Sequence, residues 1–348
     1  MSRHLVDLVP GAAVVTVLGG GLVGLCFNDS LLVSPDKTWW NGDWGVAYED
    51  ALDEEFVVRE PSIDLFGLIE WTLFGEGRRG VVVGEGGWLF TAEEFELYPG
   101  AVDRADARAR RVAEVQAEMA TRGVSLLVAY LPSKARVETE HLGKHRVPAE
   151  VALVGPRFVQ GLRAAGVDVL ELEGALLEAR AEGDVFLRTD THWTPRGARA
   201  SASALTAHVK ESGADWVGGA TVTLSEGAAG AHEGDLFRYI PLGPFQATLG
   251  PAADTLVTPV AAVESGGGLL GDATIPVALV GTSYSEDKRW GFVAGLQVEL
   301  QADVLNAAKQ GQGPFVAMDE YLKDEAWTAS PPRLVIWEIP ERYVGMAE

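Results

Sequence analysis

The feature that most constrains the fold is an alternation of short apolar runs with longer amphipathic stretches from Val81 onward. Four runs have the length and uninterrupted apolar character of buried strands: VSLLVAY (124–130), VDVLEL (167–172), PVALVG (276–281) and RLVIWEI (333–339). Four further segments repeat apolar residues with helical spacing: 102–121, 150–164, 195–211 and 290–309. Strands that alternate with helices predict an α/β fold with an open, mostly parallel sheet.

Composition sets limits on partners and on the chemistry available. The 348 residues are 47% hydrophobic, which is enough for a large packed core. The single cysteine, Cys26, excludes an intrachain disulfide framework and a cysteine-based metal cluster. A net charge of −22 disfavours nucleic acid as a partner. It would also repel a polyanionic polymer unless basic residues gather at the binding site.

Residues 1–29 are predicted to be a signal anchor or a cleaved signal peptide. The run Val9–Phe27 carries no charge and, as a helix, would span roughly 30 Å. Arg3 precedes this run, so the positive-inside rule predicts a cytoplasmic N-terminus and export of everything after Phe27. A buried core helix is the alternative for this run, and we favour the exported, anchored topology.

The remaining chain is divided by composition. Residues 30–80 form an acidic, Trp-rich lead-in segment, and residues 81–348 form the predicted catalytic domain. Within that domain, segment 217–274 is rich in Gly, Thr and Val and is predicted to be a β-rich insertion.

Asp190 and His192 form a pair with catalytic spacing. In extended backbone, residues two apart project to the same side, so the carboxylate can hold one imidazole nitrogen and leave the other free. This is half of a nucleophile–base–orienter system, and a nucleophile must come from elsewhere in the chain. A histidine satisfied by its neighbouring carboxylate, with no chemistry, is the alternative.

The stretch VALVGTSYS predicts a strand, a tight turn and a helix, with Ser283 at the apex. Ligands of open α/β sheets bind at the carboxyl ends of the strands, which is where this turn lies. The turn also aims backbone N–H groups at one spot, as an oxyanion hole requires. Ser285 is a competing nucleophile, and a serine that only caps the helix is the other alternative. The second glycine of the G-x-S-x-G elbow is absent.

A metal site is weighed and not predicted. His141 and His145 are four residues apart near Glu138 and Glu140, which is a ligand-like spacing on a helix. Gly143 interrupts such a helix, so a solvated loop is the preferred interpretation of this segment.

Five separated motifs together resemble the periplasmic alginate O-acetyltransferases of the AlgJ, AlgV and AlgX type, and most closely the AlgJ type. The motifs are GEGGWLF, LPSKARV, DTHWTPRG, GTSYS and WEIPERY, which occur in this order between about Val82 and Tyr343. The resemblance implies an SGNH-hydrolase-like domain with a triad of Asp190, His192 and Ser283. Because the sequence ends soon after WEIPERY, we expect no counterpart of the C-terminal carbohydrate-binding module of AlgX.

The resemblance also implies an activity: acetylation of hydroxyl groups on an exported polysaccharide, alginate or similar, through an acyl-enzyme on Ser283. No soluble cofactor is expected. The acetyl donor would be supplied through a membrane O-acyltransferase, other export subunits would be partners, and the location would be the periplasm with an inner-membrane anchor. A carbohydrate acetylesterase with the same triad and a non-catalytic polysaccharide-binding subunit are the alternatives.

Four residues beside the predicted triad are assigned supporting roles. The asparagine of the ordinary SGNH oxyanion hole has no counterpart, so the Ser283 N–H with Tyr343 is predicted to replace it. Lys134 and Arg342 are predicted to contact carboxylates of the polymer, and Trp193 to line the cleft.

Overall fold

The computed structural model describes residues 42–55, 59–218, 220–264 and 275–347, together with residue 19. Its described residues form two compact units: one up to Arg78 with Ile240–Gly250, the other from Arg79 to Tyr239 and onward from Pro251. The predicted membrane-spanning run Val9–Phe27 lies, apart from Gly19, outside the described residues. Within those residues, no helix combines the length and the apolar character needed to cross a membrane.

The first unit contains helices α1 (Asp43–Glu55) and α2 (Arg59–Ile69), the latter continuing into a wider turn over Glu70–Phe74. A later segment with a 3-10 turn (Gly243–Phe245) and a helical turn (Gln246–Leu249) belongs to the same unit. The Trp71 indole donates to the Leu249 carbonyl at 2.6 Å, which ties this segment to the end of α2.

The second unit is built on strands and helices in alternation. Its strands are β1 (Val81–Val83), β2 (Leu89–Thr91), β3 (Ser125–Leu131), β4 (Val169–Glu171), β5 (Thr221–His232), β6 (Asp254–Glu264), β7 (Val277–Val280), β8 (Val304–Asn306) and β9 (Leu334–Pro340). Its helices are α3 (Ala101–Ala120), α4 (Lys134–Val137), α5 (Ala149–Ala152), α6 (Val154–Ala164), α7 (Glu173–Arg180), α8 (Pro195–Glu211), α9 (Ser283–Glu286), α10 (Phe292–Leu300), α11 (Gly313–Tyr321), α12 (Glu325–Ala329) and α13 (Glu341–Gly345).

A five-stranded sheet in the order β4-β3-β9-β7-β8 forms the centre of this unit, and its strand pairs are parallel. Strands β7 and β9 are buried along their whole length because helices cover both faces. One apolar core lies on each face, around Leu127 and Ile336 on one side and Val128 and Val335 on the other. The predicted α/β fold with a mostly parallel sheet is confirmed.

The predicted helix 290–309 is wrong in its second half. Helix α10 ends at Leu300, and Gln301 adopts a left-handed backbone conformation with φ of 48°. The chain then forms β8, whose Val304 pairs with Val277 of β7. Pairing at the sheet edge satisfies the backbone of this short apolar segment, and this outweighs its helical periodicity.

The long strands β5 and β6 form a separate antiparallel pair within the segment predicted to be a β-rich insertion. A bulge between Glu226 and Ala229 interrupts their register. His232 and Asp254 stand opposite each other at one end of the pair, and both reach the site described next.

Candidate active site

Asp190 and His192 lie on a tight loop between α7 and α8. The loop closes on itself because the Leu187 N–H donates to the His192 carbonyl at 3.0 Å. The Thr194 hydroxyl caps α8, and Pro195 occupies the first helical position, so the helix start is fixed directly after the loop.

Lys134 fixes this loop from beneath. Its side chain is 1% exposed, and its ammonium group donates to the carbonyls of Leu89 (2.5 Å), Asp190 (2.9 Å) and Arg188 (3.1 Å). Burial lowers the pKa of Lys134 to about 8, although Glu94 nearby acts to raise it. The predicted contact between Lys134 and polymer carboxylates is therefore wrong, because the three donors are already used inside the protein.

Ser283 is the first residue of α9, which follows β7 through Gly281 and Thr282. The buried carboxylate of Glu338 holds this turn by accepting the Thr282 N–H at 2.7 Å and the Ser285 hydroxyl at 3.0 Å. Burial raises the pKa of Glu338. Ser285 thus faces a carboxylate, whereas Ser283 faces an imidazole.

The three residues of the predicted triad lie in hydrogen-bonding contact. His192 Nε2 is 2.7 Å from Ser283 Oγ, and His192 Nδ1 is 2.6 Å from Asp190 Oδ1. The His192 backbone N–H also donates to Asp190 Oδ1 at 3.0 Å. Burial acts to raise the pKa of Asp190, but the hydrogen bonds from His192 and His232 hold it well below its ordinary range. An ionised Asp190 therefore keeps Nδ1–H oriented toward itself and leaves Nε2 to accept the Ser283 proton.

Aromatic rings fix the imidazole and the serine turn. The Trp290 ring stacks on His192 with centroids 4.9 Å apart, and its indole N–H donates to the Ser283 carbonyl at 3.1 Å. The Tyr284 hydroxyl donates to the Thr191 carbonyl at 2.6 Å, which joins the two catalytic loops. Trp193 is fully buried and donates to the Tyr284 carbonyl at 3.1 Å. The prediction that Trp193 lines the cleft is wrong, because its ring belongs to the core beneath the site.

Arg342 and Tyr343 lie in the first turn of α13, at the carboxyl end of β9. The Arg342 guanidinium lies over the Tyr284 ring, 5.6 Å from its centroid, and its side chain is 8% exposed. Its Nε has no hydrogen-bond partner among the described residues, and Glu93 is 3.7 Å away. The same guanidinium borders a cavity of about 600 Å³. Within the described residues, no hydrogen bond joins Tyr343 to the triad, so its oxyanion role stays a prediction.

The carboxylates near His141 are engaged by a cation. Glu138 and Glu140 lie close enough to His141 to suggest a shared ligand, but Arg180 forms ion pairs with both acids. The His141 ring stacks on Trp88 at 4.2 Å.

Several residues of the site were not predicted. His232 Nε2 is 2.8 Å from Asp190 Oδ2, and the Asp235 N–H donates to the same oxygen at 3.1 Å. Trp290 and Glu338 contact the serine turn as described above. No local pattern marks His232, since it ends a strand of an unrelated sheet, and only the rarity of histidine, six in the chain, draws notice to it.

Comparison with known proteins supports the relationship indicated by the motifs. The family described as "SGNH hydrolase-like domain, acetyltransferase AlgX" matches residues 81–341. The chain is 40% identical to the probable alginate O-acetylase AlgJ of Pseudomonas aeruginosa, over 96% of this chain and 90% of that protein. It is 38% identical to the AlgJ protein of Azotobacter vinelandii, over 88% of this chain and 80% of that protein.

Solved structures agree with these matches. The O-acetyltransferase domain of Pseudomonas putida AlgJ superposes with a TM-score of 0.71 and 37% identity, covering 77% of this chain and 94% of that one. Pseudomonas aeruginosa AlgX, at 24% identity and a TM-score of 0.57, shares the fold over 75% of this chain and 62% of that one. The chain therefore belongs to the AlgX family of SGNH hydrolase-like acetyltransferases.

Proposed function

We propose that this acetyltransferase transfers acetyl groups to hydroxyls of alginate, or of a closely similar exported polysaccharide, through an acyl-enzyme on Ser283. The observation that carries the proposal is the continuous contact from Asp190 through His192 to Ser283 Oγ. The similar AlgJ proteins are named alginate O-acetylases, which supports the choice of polymer.

In the first half-reaction, Ser283 Oγ attacks the acetyl carbonyl while His192 Nε2 takes the hydroxyl proton. The bond to the donor's leaving group breaks, and His192 returns the proton to that group. In the second half-reaction, a sugar hydroxyl attacks the acetyl-serine. His192 takes the sugar proton and passes it to Ser283 Oγ as the ester bond to the serine breaks. Asp190 stabilises the imidazolium formed in each half-reaction.

The negative charge on the tetrahedral intermediate needs hydrogen-bond donors. The Ser283 N–H is available for this role because the first N–H groups of a helix have no intrahelical acceptor. We keep Tyr343 as the proposed second donor.

We assign Arg342 to a uronate carboxylate of the acceptor. Its buried guanidinium has an unpartnered Nε, lies over the Tyr284 ring that also contacts His192, and borders the cavity described above. A carboxylate can supply the acceptor oxygens that Nε lacks, because guanidinium and carboxylate groups match in geometry.

The wider setting of the reaction rests on the family resemblance. We propose a periplasmic protein, anchored in the inner membrane through residues 1–29, with the catalytic domain in residues 81–348. The acetyl donor would reach Ser283 through a membrane O-acyltransferase, and other subunits of polysaccharide export would be neighbours. No soluble cofactor enters the two half-reactions.

The test measures where the acetyl group goes. The purified protein is given an activated acetyl ester with and without deacetylated alginate oligomers, and acetylated oligomers are detected by mass spectrometry. We expect oligomer acetylation at the expense of hydrolysis, and neither reaction with Ser283→Ala. Hydrolysis that is unaffected by the oligomers would indicate an esterase instead. Full transfer by Ser283→Ala would reject the acyl-enzyme mechanism.

A further inference from the structure

Asp190 is shared between two histidines. Its Oδ1 accepts from His192, as described above, and its Oδ2 accepts from His232 Nε2 at 2.8 Å and from the Asp235 N–H at 3.1 Å. Both imidazoles are buried. The carboxylate therefore has a distinct partner on each oxygen. These partners fix its rotation about the Cβ–Cγ bond of Asp190.

Arg289 determines the tautomer of His232. The Arg289 Nη1 lies 3.4 Å from His232 Nδ1, and a guanidinium can only donate hydrogen bonds. Nδ1 must then be the acceptor, so the ring proton is on Nε2, which faces Asp190. The Arg289 side chain is itself held by three hydrogen bonds to the Asp287 carboxylate, at 2.6, 2.9 and 3.1 Å. A proton on Nδ1 would point at this guanidinium, so the contact favours the tautomer that carries its proton on Nε2.

The position of His232 is set by the β5–β6 pair. His232 ends β5, opposite Asp254 at the start of β6. The Asp254 carboxylate accepts the Thr189 N–H at 3.0 Å and the Arg188 N–H at 3.1 Å, both in the loop that carries Asp190. Asp254 thus holds the backbone of the loop, and His232 holds the side chain of Asp190.

Building on the proposed function, we propose that His232 is a positioning residue of the active site. It acts through Asp190: it holds Oδ1 toward His192, and its Nε2–H draws negative charge toward Oδ2. His192 consequently faces a carboxylate whose negative charge is shared with His232 and is not concentrated on Oδ1. Five other charged residues of the protein lie around Asp190 and His232 and contribute to the local field: Lys134, Asp235, Asp254, Asp287 and Arg289.

The test compares His232→Ala with His232→Gln on hydrolysis of an activated acetyl ester. The Gln amide can place an N–H where Nε2 lies, so it restores the donor to Asp190, whereas Ala does not. We expect His232→Ala to lower kcat about 10- to 100-fold, the range that corresponds to one hydrogen bond to a charged group, with little change in KM. His232→Gln should recover most of this loss.

The pH profile separates positioning from mere structural support. Without the His232 donor, Asp190 concentrates its charge on Oδ1 and stabilises the His192 imidazolium, so the pKa of His192 should rise. The acid limb of kcat/KM should move to higher pH in His232→Ala and return in His232→Gln. His208→Ala is the matched control, because His208 forms a similar 2.9 Å contact with Asp168 at an exposed position away from the triad.

Two results overturn the inference. One is unchanged kcat and an unmoved acid limb in His232→Ala. The other needs no variant: in the intact protein, ¹⁵N chemical shifts of the His232 ring should show Nε2 protonated and Nδ1 unprotonated at the pH of activity, and the reverse tautomer or an imidazolium contradicts the assignment. Activity retained by Ser283→Ala would instead reject the proposed function, so the two failures are distinguishable.

Discussion

Ser283 and Ser285 lie in the same helical turn, yet their hydroxyls have opposite surroundings. Ser283 Oγ contacts a base, whereas Ser285 Oγ donates to the Glu338 carboxylate. A hydroxyl whose proton is committed to a buried carboxylate cannot also be deprotonated by His192. The local sequence leaves both serines open as nucleophiles, and the partners found in the fold favour Ser283.

The triad residues should behave as one unit in mutagenesis. Ser283→Ala should abolish turnover of an activated acetyl ester, and Asp190→Asn should lower it by up to ~10⁴, because the amide presents the wrong partner to Nδ1. Adding Asp190→Asn to Ser283→Ala should change almost nothing further. Steady-state kinetics of the two single variants and the double variant provide the measurement.

A serine-directed phosphonate gives an independent control for that series. Mass spectrometry of the labelled protein should place the adduct on Ser283 and leave Ser285 unmodified. Effects of Asp190→Asn and Ser283→Ala that simply multiply would mean that the residues do not act together.

Arg342→Met should separate polymer recognition from chemistry. The variant keeps an unbranched apolar stem but loses the guanidinium over the Tyr284 ring. Acetylation of alginate oligomers should fall by about 10- to 100-fold, since a charged hydrogen bond contributes on the order of 1.5–3 kcal/mol. Hydrolysis of a small acetyl ester should change little. Equal losses on both substrates would indicate that Arg342 acts on the acetyl group or on the fold.

At the scale of elements, the strand–turn–helix around Ser283 depends on one close approach. A Cβ on Gly281 would lie 2.4 Å from the Glu338 carboxylate, which is too close for any real contact. We expect Gly281→Ala to displace the turn, to lower esterase activity at least 10-fold and to lower the melting temperature.

Gly174→Ala is the control for this substitution. Gly174 lies in α7 with open space where its Cβ would be, so alanine should be neutral or stabilise the helix by up to about 1 kcal/mol. A Gly281→Ala variant as stable and active as Gly174→Ala would show that the serine turn tolerates the added methyl group.

The sequence predicted the central sheet well because β3, β7 and β9 are apolar on both faces, a pattern that leaves few other structures open. It failed at β8, whose three residues follow a helix and carry no strand signature of their own. The Asp190–His192 pair could be predicted because its two residues are only two positions apart in the sequence.

The sequence did not predict the residues that reach the triad from distant segments. His232 and Trp290 reach the triad only through the packing of β5 and of the turn before α10, and sequence spacing contains no information about that packing. Lys134 was misassigned because a basic residue after a strand is compatible with binding substrate or with binding backbone carbonyls. Burial decided between the two.

At the scale of the whole molecule, the charge of −22 opposes the proposed acceptor, which is also an anion. Salt screens this repulsion, since the Debye length falls from about 30 Å at 0.01 M to about 10 Å at 0.1 M. We therefore expect KM for alginate oligomers to decrease as ionic strength rises over this range. Hydrolysis of a neutral acetyl ester should be insensitive to salt. A rising KM would mean that a local basic surface dominates the encounter.

Because Lys134 holds the Asp190 loop through its carbonyls, its chemical reactivity should report when that loop opens. The Lys134 amine is almost completely buried beneath the Asp190 loop, so an acetylating reagent cannot reach it while the loop is closed. Its modification requires the loop to open, so the rate of Lys134 acetylation should measure that local unfolding. Mass spectrometry after timed exposure should find Lys134 acetylated far more slowly than exposed lysines such as Lys309, and faster in variants that loosen the loop. The Lys134 amine is thus a native probe of how often the active-site loop opens.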